Sequence, residues 1–351
     1  MGLLVWLEAL TAKQALLFSH LYHALRGRGH GVLVTTRSYD YSAGVLEVWG
    51  VEYAEVGAYG GDDLAGKLRA GLERQSGLLR LLEGLDKLPD VHVAFTSPDS
   101  TRVAYGLGIP IINLTDSPHS VHVNRLSLPL SRVVVAPECA AEGLARYAPD
   151  ARILEFDGVF EVAWTRGFRP DPHALERWGL EPLNYAILRL EESKASYYPA
   201  GRGSLMDLIP LLARELGRVV VYPRYADQAT ELERLSSKYP NLVVPRRAIR
   251  LQDLEYYAAL VVTGGSSMAQ ESALLGTTSV TAFPGRLEVV EYLRARGFPI
   301  FHAPGPRAAL ELVGSILRDP DAYRVDTSGM LGSLEDPVPL TVSAVEEVGG
   351  A

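Results

Sequence analysis

The sequence predicts an α/β fold made of two successive α/β/α domains, each around a parallel sheet, with a cleft between the sheet ends. Three observations predict it. Short β-branched runs alternate with amphipathic helical stretches from Leu3 to Leu317, the pattern of parallel strands joined by crossover helices. Many of the runs end in a polar or glycine-rich cluster, where open α/β sheets bind ligands. The length, 351 residues, exceeds what one hydrophobic core usually organises, so two units of similar size are expected. The boundaries fall at residues 1–165 and 166–325, followed by a C-terminal tail at 326–351.

In the first domain, Leu3 to Leu7 reads as a central buried strand. The helix after it, Ala12 to Leu25, carries Leu16, Leu17, Leu21, Tyr22 and Leu25 on one face, at the helical period. Gly27 and Gly29 end it, and Gly31 to Thr36 is the second strand. The first strand–helix turn lacks G-x-G-x-x-G, which disfavours a nicotinamide dehydrogenase. Thr11, Lys13 and Gln14 place polar groups at that helix start instead. A helix ending at Gly50, a strand at Glu52 to Val56 and a long helix at Leu64 to Leu85 come next. Strands at Val91 to Phe95 and Pro110 to Leu114 end in Thr96-Ser97-Pro98-Asp99-Ser100 and Thr115-Asp116-Ser117-Pro118-His119. Val133 to Ala136 and Ile153 to Phe156 complete the strands of this half. Phe160 to Pro172, with glycine and prolines but little periodicity, reads as the linker.

The second domain opens with a helix at Pro172 to Trp178 and a strand at Tyr185 to Arg189. A polar loop leads through Gly201-Arg202-Gly203-Ser204 to a helix at Leu205 to Leu216. Strand Val219 to Tyr222 ends in Pro223-Arg224-Tyr225, before a helix at Gln228 to Tyr239 and a strand at Leu242 to Val244. The strongest functional signal is the stretch from Tyr256 to Pro284. A strand, Ala259 to Val262, stops at Thr263-Gly264-Gly265-Ser266-Ser267; a helix then runs to Gly276, and a strand follows at Ser279 to Phe283. Two glycines permit a tight turn and close approach of a ligand. Ser266 or Ser267 would cap the helix, and the open N–H groups of its first turn suit a phosphate or diphosphate. The plainer alternative is a tight turn with an ordinary serine cap. Helix Glu288 to Arg296, strand Ile300 to His302, helix Arg307 to Leu317 and a helical turn at Asp319 to Tyr323 close the domain.

Composition excludes several classes. Lys+Arg 34 against Asp+Glu 42 gives a net charge of −8, and no basic tract is present, which argues against nucleic acid. One cysteine, Cys139, excludes an intramolecular disulfide framework and a cysteine-rich metal site. The opening residues lack a basic region, and no apolar stretch is long enough to span a bilayer. A cytoplasmic location is expected, compatible with peripheral membrane contact. His119 and His122 stand three apart beside Asn124 but lack the companion ligands of a familiar metal site, so none is expected.

The segments Leu10-Thr11-Ala12-Lys13-Gln14, Arg28 to Arg37, Leu114 to His119, Leu188-Arg189-Leu190-Glu191, Pro223-Arg224 and Gly264 to Thr277 together resemble a largely archaeal family of uncharacterised proteins. That family is related in fold to UDP-N-acetylglucosamine 2-epimerase and to MurG-like glycosyltransferases with two Rossmann-like domains, the GT-B fold. The resemblance covers about residues 1 to 325 and implies a nucleotide-diphosphate sugar, UDP-linked, as substrate, with no tightly bound cofactor. It implies that Gly264, Gly265, Ser266 and Ser267 hold the diphosphate and that Glu271, about one turn into the helix, holds the ribose. Arg189 and Arg224 end neighbouring strands, from which they could clamp a phosphate.

The epimerase pattern is broken in two places. Arg189-Leu190-Glu191-Glu192-Ser193 stands where a histidine motif belongs, and Thr115-Asp116-Ser117-Pro118-His119 replaces a histidine–glutamate pattern. The expected activity is therefore glycosyltransferase-like, because a transferase needs little more than charge stabilisation for the leaving diphosphate and one base. The acceptor, a lipid-linked or polysaccharide precursor, would face Lys13, Asp116 and His119. Asp116 is the first candidate base, His119 the second and Asp99 the third; the blander role of both aspartates is in Asx turns. Tyr197, Tyr198 and Tyr225 are candidates to stack on a base or sugar. The alternatives are a nucleotide-sugar epimerase or hydrolase, and a non-catalytic sugar-phosphate-binding protein; a homodimer is compatible with each.

Overall fold

The computed structural model describes residues 2–39, 41–192 and 203–350. The chain forms two units, Met1–Trp164 with Leu334–Ala351, and Thr165–Ser333. Among the described residues no helix is long and apolar enough to cross a membrane.

The first unit holds seven strands: β1 (Leu4–Ala9), β2 (Gly31–Ser38), β3 (Ala54–Ala58), β4 (Val91–Ala94), β5 (Ile111–Leu114), β6 (Val133–Pro137) and β7 (Arg152–Phe156). Their order is β3-β2-β1-β4-β5-β6-β7, with every pairing parallel. The order reverses between β1 and β4, the position beside whose carboxyl ends open α/β sheets bind ligands. Buried strands of a parallel sheet are apolar on both faces, and β1 is: Trp6 packs with Leu78, Leu82 and Ile111, while Val5 and Leu7 join Leu17, Leu21 and Leu25.

The second unit repeats the plan with six strands: β8 (Tyr185–Arg189), β9 (Arg218–Tyr222), β10 (Leu242–Val243), β11 (Leu260–Thr263), β12 (Ser279–Thr281) and β13 (Ile300–His302). Their order is β10-β9-β8-β11-β12-β13, again parallel, with the reversal between β8 and β11.

Several features differ from the sequence expectation, among them the segment Pro172–Trp178, which is a 3-10 helix rather than an α-helix. Residues 121–127, which carried no assignment, form a helix, Val121–Ser127. The stretch read as linker begins inside the first core: Phe160 and Val162 are fully buried. The helix expected at Leu205 to Leu216 starts as a 3-10 turn, Leu205–Leu208, before the α-helix Ile209–Glu215. The tail is helical as well, and its last helix, Pro337–Gly349, places Val342, Val345 and Val348 in the first unit's core. Tyr197, Tyr198 and the Gly201-Arg202 pair lie outside the described residues.

Candidate functional site

In the second unit the strand–turn–helix after β11 stands at the reversal of the sheet, beside β8. The helix is Ser267–Leu274. A Cβ on Gly264 would overlap the Cα of Glu191, so glycine is required there by the backbone that leaves β8. Gly265 differs: Nη2 of Arg224 lies 3.3 Å from where its Cβ would be, which sets a guanidinium beside the helix start. The Gly265 N–H donates to Thr263 Oγ1 at 3.1 Å, and its carbonyl accepts from Thr281 Oγ1 at 2.6 Å. Ser266 is the N-cap, yet its side chain makes no capping bond. The expected serine cap is not formed. The first-turn N–H groups, which a helix cannot satisfy internally, are thus not taken up by the Ser266 side chain.

Glu271 is 7 % exposed and is no surface glutamate. Gln252 Nε2, from the helix Gln252–Tyr257, donates to Glu271 Oε1 at 2.7 Å. Glu255, one turn further along that helix, is completely buried and faces Glu271. Burial, and then the charge and hydrogen bond of Glu271, push the Glu255 carboxyl well above the usual range. The two arginines part company. Arg189 is buried and donates from Nη1 to Pro223 O at 2.6 Å, which ties the end of β8 to the end of β9. Arg224 donates from Nε to Leu190 O at 3.2 Å and stays beside Gly265. Tyr225 precedes the helix Ala226–Ser236, and its N–H donates to Gln228 Oε1 at 3.3 Å.

In the first unit, Thr11 caps the helix Ala12–Gly27 through the N–H of Gln14. Gln14 accepts from Leu10 N at 2.7 Å and donates to Phe95 O at 3.3 Å, which joins the helix start to the end of β4. Lys13 is turned inward. Its ammonium pairs with Asp116 and, at 2.9 Å, with Glu161, and it lies 5.4 Å from the Phe95 ring centre and 5.8 Å from that of Phe160. Asp116 also accepts from Ser117 Oγ at 2.8 Å.

Burial alone would depress the Lys13 ammonium, but Asp116 and Glu161 outweigh it and raise its pKa. Burial alone would raise Asp116; the charge and hydrogen bond of Lys13, helped by Ser117 and His119, hold it below the usual range instead. Glu161 goes the other way: burial, reinforced by Asp116 and only partly offset by Lys13, raises it. Two neighbouring carboxyls thus have pKa values pushed apart, the usual signature of a divided acid and base role.

Asp99 belongs elsewhere. It stands in the first turn of the helix Pro98–Gly106 and accepts from Gln75 Nε2 at 3.2 Å. Its electrostatic neighbours are Arg74, Glu8 and Arg37, a group built around the buried Arg74–Glu8 ion pair at 2.6 Å. Thr96, between Phe95 and Ser97, has φ of 49°, a strained conformation for a β-branched residue and of the kind that collects at functional sites. Its N–H donates to Asn113 Oδ1 at 3.2 Å. His122 joins no ligand set: among the described residues no group of three or more His, Cys, Asp or Glu side chains is placed to hold a metal ion.

Sequence reasoning missed Glu161, Glu255 and Gln252. Glu161 fell within the stretch assigned to the linker, but a signal was present: it is the single charge in the apolar run Val159-Phe160-Glu161-Val162-Ala163-Trp164. A lone carboxylate among core residues is costly to bury unless it is paired.

Comparison with known proteins agrees with this architecture. An uncharacterised protein of Methanocaldococcus jannaschii, MJ0665, is 28 % identical over 289 residues, 81 % of this chain and 82 % of that one. Among solved structures, UDP-GlcNAc 2-epimerase from Neisseria meningitidis, bound to UDP-GlcNAc, aligns over 98 % of this chain and 100 % of its own at a TM-score of 0.74 and 13 % identity. The Methanocaldococcus jannaschii UDP-GlcNAc 2-epimerase, in complex with UDP-GlcNAc and UDP, aligns over 97 % and 99 % at 0.72 and 14 %. At that identity the likeness is one of fold: a GT-B-like architecture of two Rossmann-like units. The family model described as "Protein of unknown function (DUF354)" matches residues 3–348, and the chain belongs to that family.

Proposed function

We propose that this protein is an enzyme acting on a nucleotide-diphosphate sugar, with the nucleotide end held by the second unit. One observation carries the reading: an uncapped helix start, the Arg224 guanidinium beside Gly265, and the buried Glu271 one turn along occur together. The N–H groups and the guanidinium suit a diphosphate. A carboxylate held by Gln252 suits a pair of adjacent hydroxyls, which a ribose supplies. That the solved relatives of this fold include proteins titled as bound to UDP-GlcNAc or UDP supports the substrate class.

Chemistry on the sugar itself, epimerisation or hydrolysis, is the reading the fold neighbours favour over transfer to an acceptor. The Lys13–Asp116–Glu161 group offers what it needs. Asp116, ion-paired and of lowered pKa, is a weak base, whereas Glu161, whose carboxyl burial pushes up, is the better candidate to carry a proton. Transfer is the second reading, favoured by the missing histidine motif after β8.

A thermal-shift screen over nucleoside diphosphates and their sugar conjugates tests the substrate class; the protein should be stabilised by one base class and its conjugates. Absence of stabilisation by every member would sink it. With the active conjugate in hand, incubation without any acceptor separates the chemistries. An isomerised sugar or free sugar plus nucleotide supports the first reading, and turnover only after an acceptor is added supports the second. Glu161→Gln should keep nucleotide binding and lose about 10²–10⁴-fold in turnover.

A further inference from the structure

The pair Glu255 and Glu271 asks more of the fold than a single binding carboxylate would. Glu255 is wholly buried and Glu271 is nearly so. They face one another from the helices Gln252–Tyr257 and Ser267–Leu274. Two carboxylates packed together in a desolvated place cannot both stay ionised. Neither Glu255 oxygen finds a donor among the described side chains, so the arrangement makes sense only with a proton between the two groups. Gln252 Nε2 fills the other side of Glu271, at 2.7 Å from Oε1.

We propose that Glu255 is a positioning residue kept as a neutral carboxylic acid. It donates a hydrogen bond to Glu271 and, with Gln252, fixes that carboxylate in the orientation that accepts the two adjacent hydroxyls of a ribose. This rests on the nucleotide reading above for its ligand, though not for its proton. The device answers a specific problem. A glutamate in a helix has three side-chain torsions to freeze before it can recognise a diol, and two buried donors freeze them beforehand. It also keeps the site's negative charge low beside a diphosphate.

The groups around Glu255 are consistent with a neutral acid. Glu271 faces it from the neighbouring helix. From β8, Tyr185 comes near, with its hydroxyl donating to Leu254 O. The electrostatic neighbours of Tyr185 are Arg324, Glu255, Asp253 and Tyr222. The segment Pro172–Trp178, packed on the same helix, turns His173, Glu176 and Arg177 to solvent. The carboxyl is raised well above 4.5 by burial first and Glu271 second.

The test uses the full chain and the variants E255Q and E255A, with UDP and 2′-deoxy-UDP as probes in calorimetry. E255A should weaken UDP binding about tenfold and reduce the preference for the ribose over the deoxyribose. E255Q, which retains a donor, should recover most of both. E255A binding UDP with wild-type affinity and preference would overturn the proposal. A second measurement does not depend on the ligand. Because the folded-state pKa of Glu255 is raised, wild-type stability is complete below about pH 4.5 and declines as pH rises toward that raised value. E255Q does not titrate, so its melting temperature relative to wild type should climb steadily from pH 4.5 to 8.5. A constant difference would refute the shared proton. If no nucleotide binds but the difference still widens, the nucleotide reading fails and the proton stands.

Discussion

The two units bury carboxyl groups in opposite ways. In the first, Asp116 and Glu161 close on the ammonium of Lys13, so a cation offsets their charge. In the second, Glu271 is met by the amide of Gln252 and by a second carboxyl, Glu255, and a proton must do that work. A buried ion group held by a cation is fragile to loss of the cation. One held by a proton responds instead to pH. Lys13 and Glu255 are thus the two handles by which each cluster can be taken apart.

The largest effect is expected from Lys13→Met. It strands two buried carboxyls and should destabilise the protein by about 3–5 kcal/mol, read from denaturant unfolding; a loss below about 1 kcal/mol would mean the pair behaves as a surface contact. Next is Glu271→Ala, which should weaken nucleotide binding by about 1–3 kcal/mol in calorimetry with little change in fold. The neighbouring glycines sharpen the contrast between structural and ligand-facing residues. Gly264→Ala must displace Glu191 and should cost about 1–3 kcal/mol of stability, whereas Gly265→Ala meets only the end of Arg224 and should be felt mainly in nucleotide affinity. Equal destabilisation by the two would erase the distinction. The smallest effect separates the clusters by pH. Asp116, with lowered pKa, contributes stability that is present above 3.8 and lost as pH falls through its folded value. Glu255 and Glu161, both raised, contribute in the other direction, losing stability as pH rises from about 4.5. Lys13→Met should therefore blunt the acid limb of a melting-temperature profile and leave the Glu255-dependent limb in place.

The sequence carried the alternation of strands and helices well, because buried parallel strands such as β6 and β11 are short, β-branched and bounded by turn residues. It also located the glycine turn after β11 and the helix that carries Glu271. What it could not carry was pairing across distance. Nothing local says that Lys13 turns inward to reach Asp116, 103 positions later, or that Glu161 joins them from a stretch that looks like a connector. Gly264 showed a related limit: a glycine required by a passing backbone and one required by a ligand are identical in sequence. Arg189 and Arg224 were equally placed at strand ends; both donate to backbone carbonyls, and only the fold sets Arg224 beside Gly265 at the helix start. Serine before a helix suggested a cap, but Ser266 does not form one. The tail offered prolines and valines without a visible partner, since that partner is the core of the other half.

That last helix, Pro337–Gly349, has a consequence for how the molecule comes to exist. The first unit is written in two pieces, with all of the second unit between them, so its core stays open along one flank until the closing residues have been synthesised. The half that begins the chain must wait for its end. A chain ending at residue 333 should thus leave apolar surface of the helix Ala12–Gly27 and of β4 without its cover, a surface on which chaperones would be expected to act.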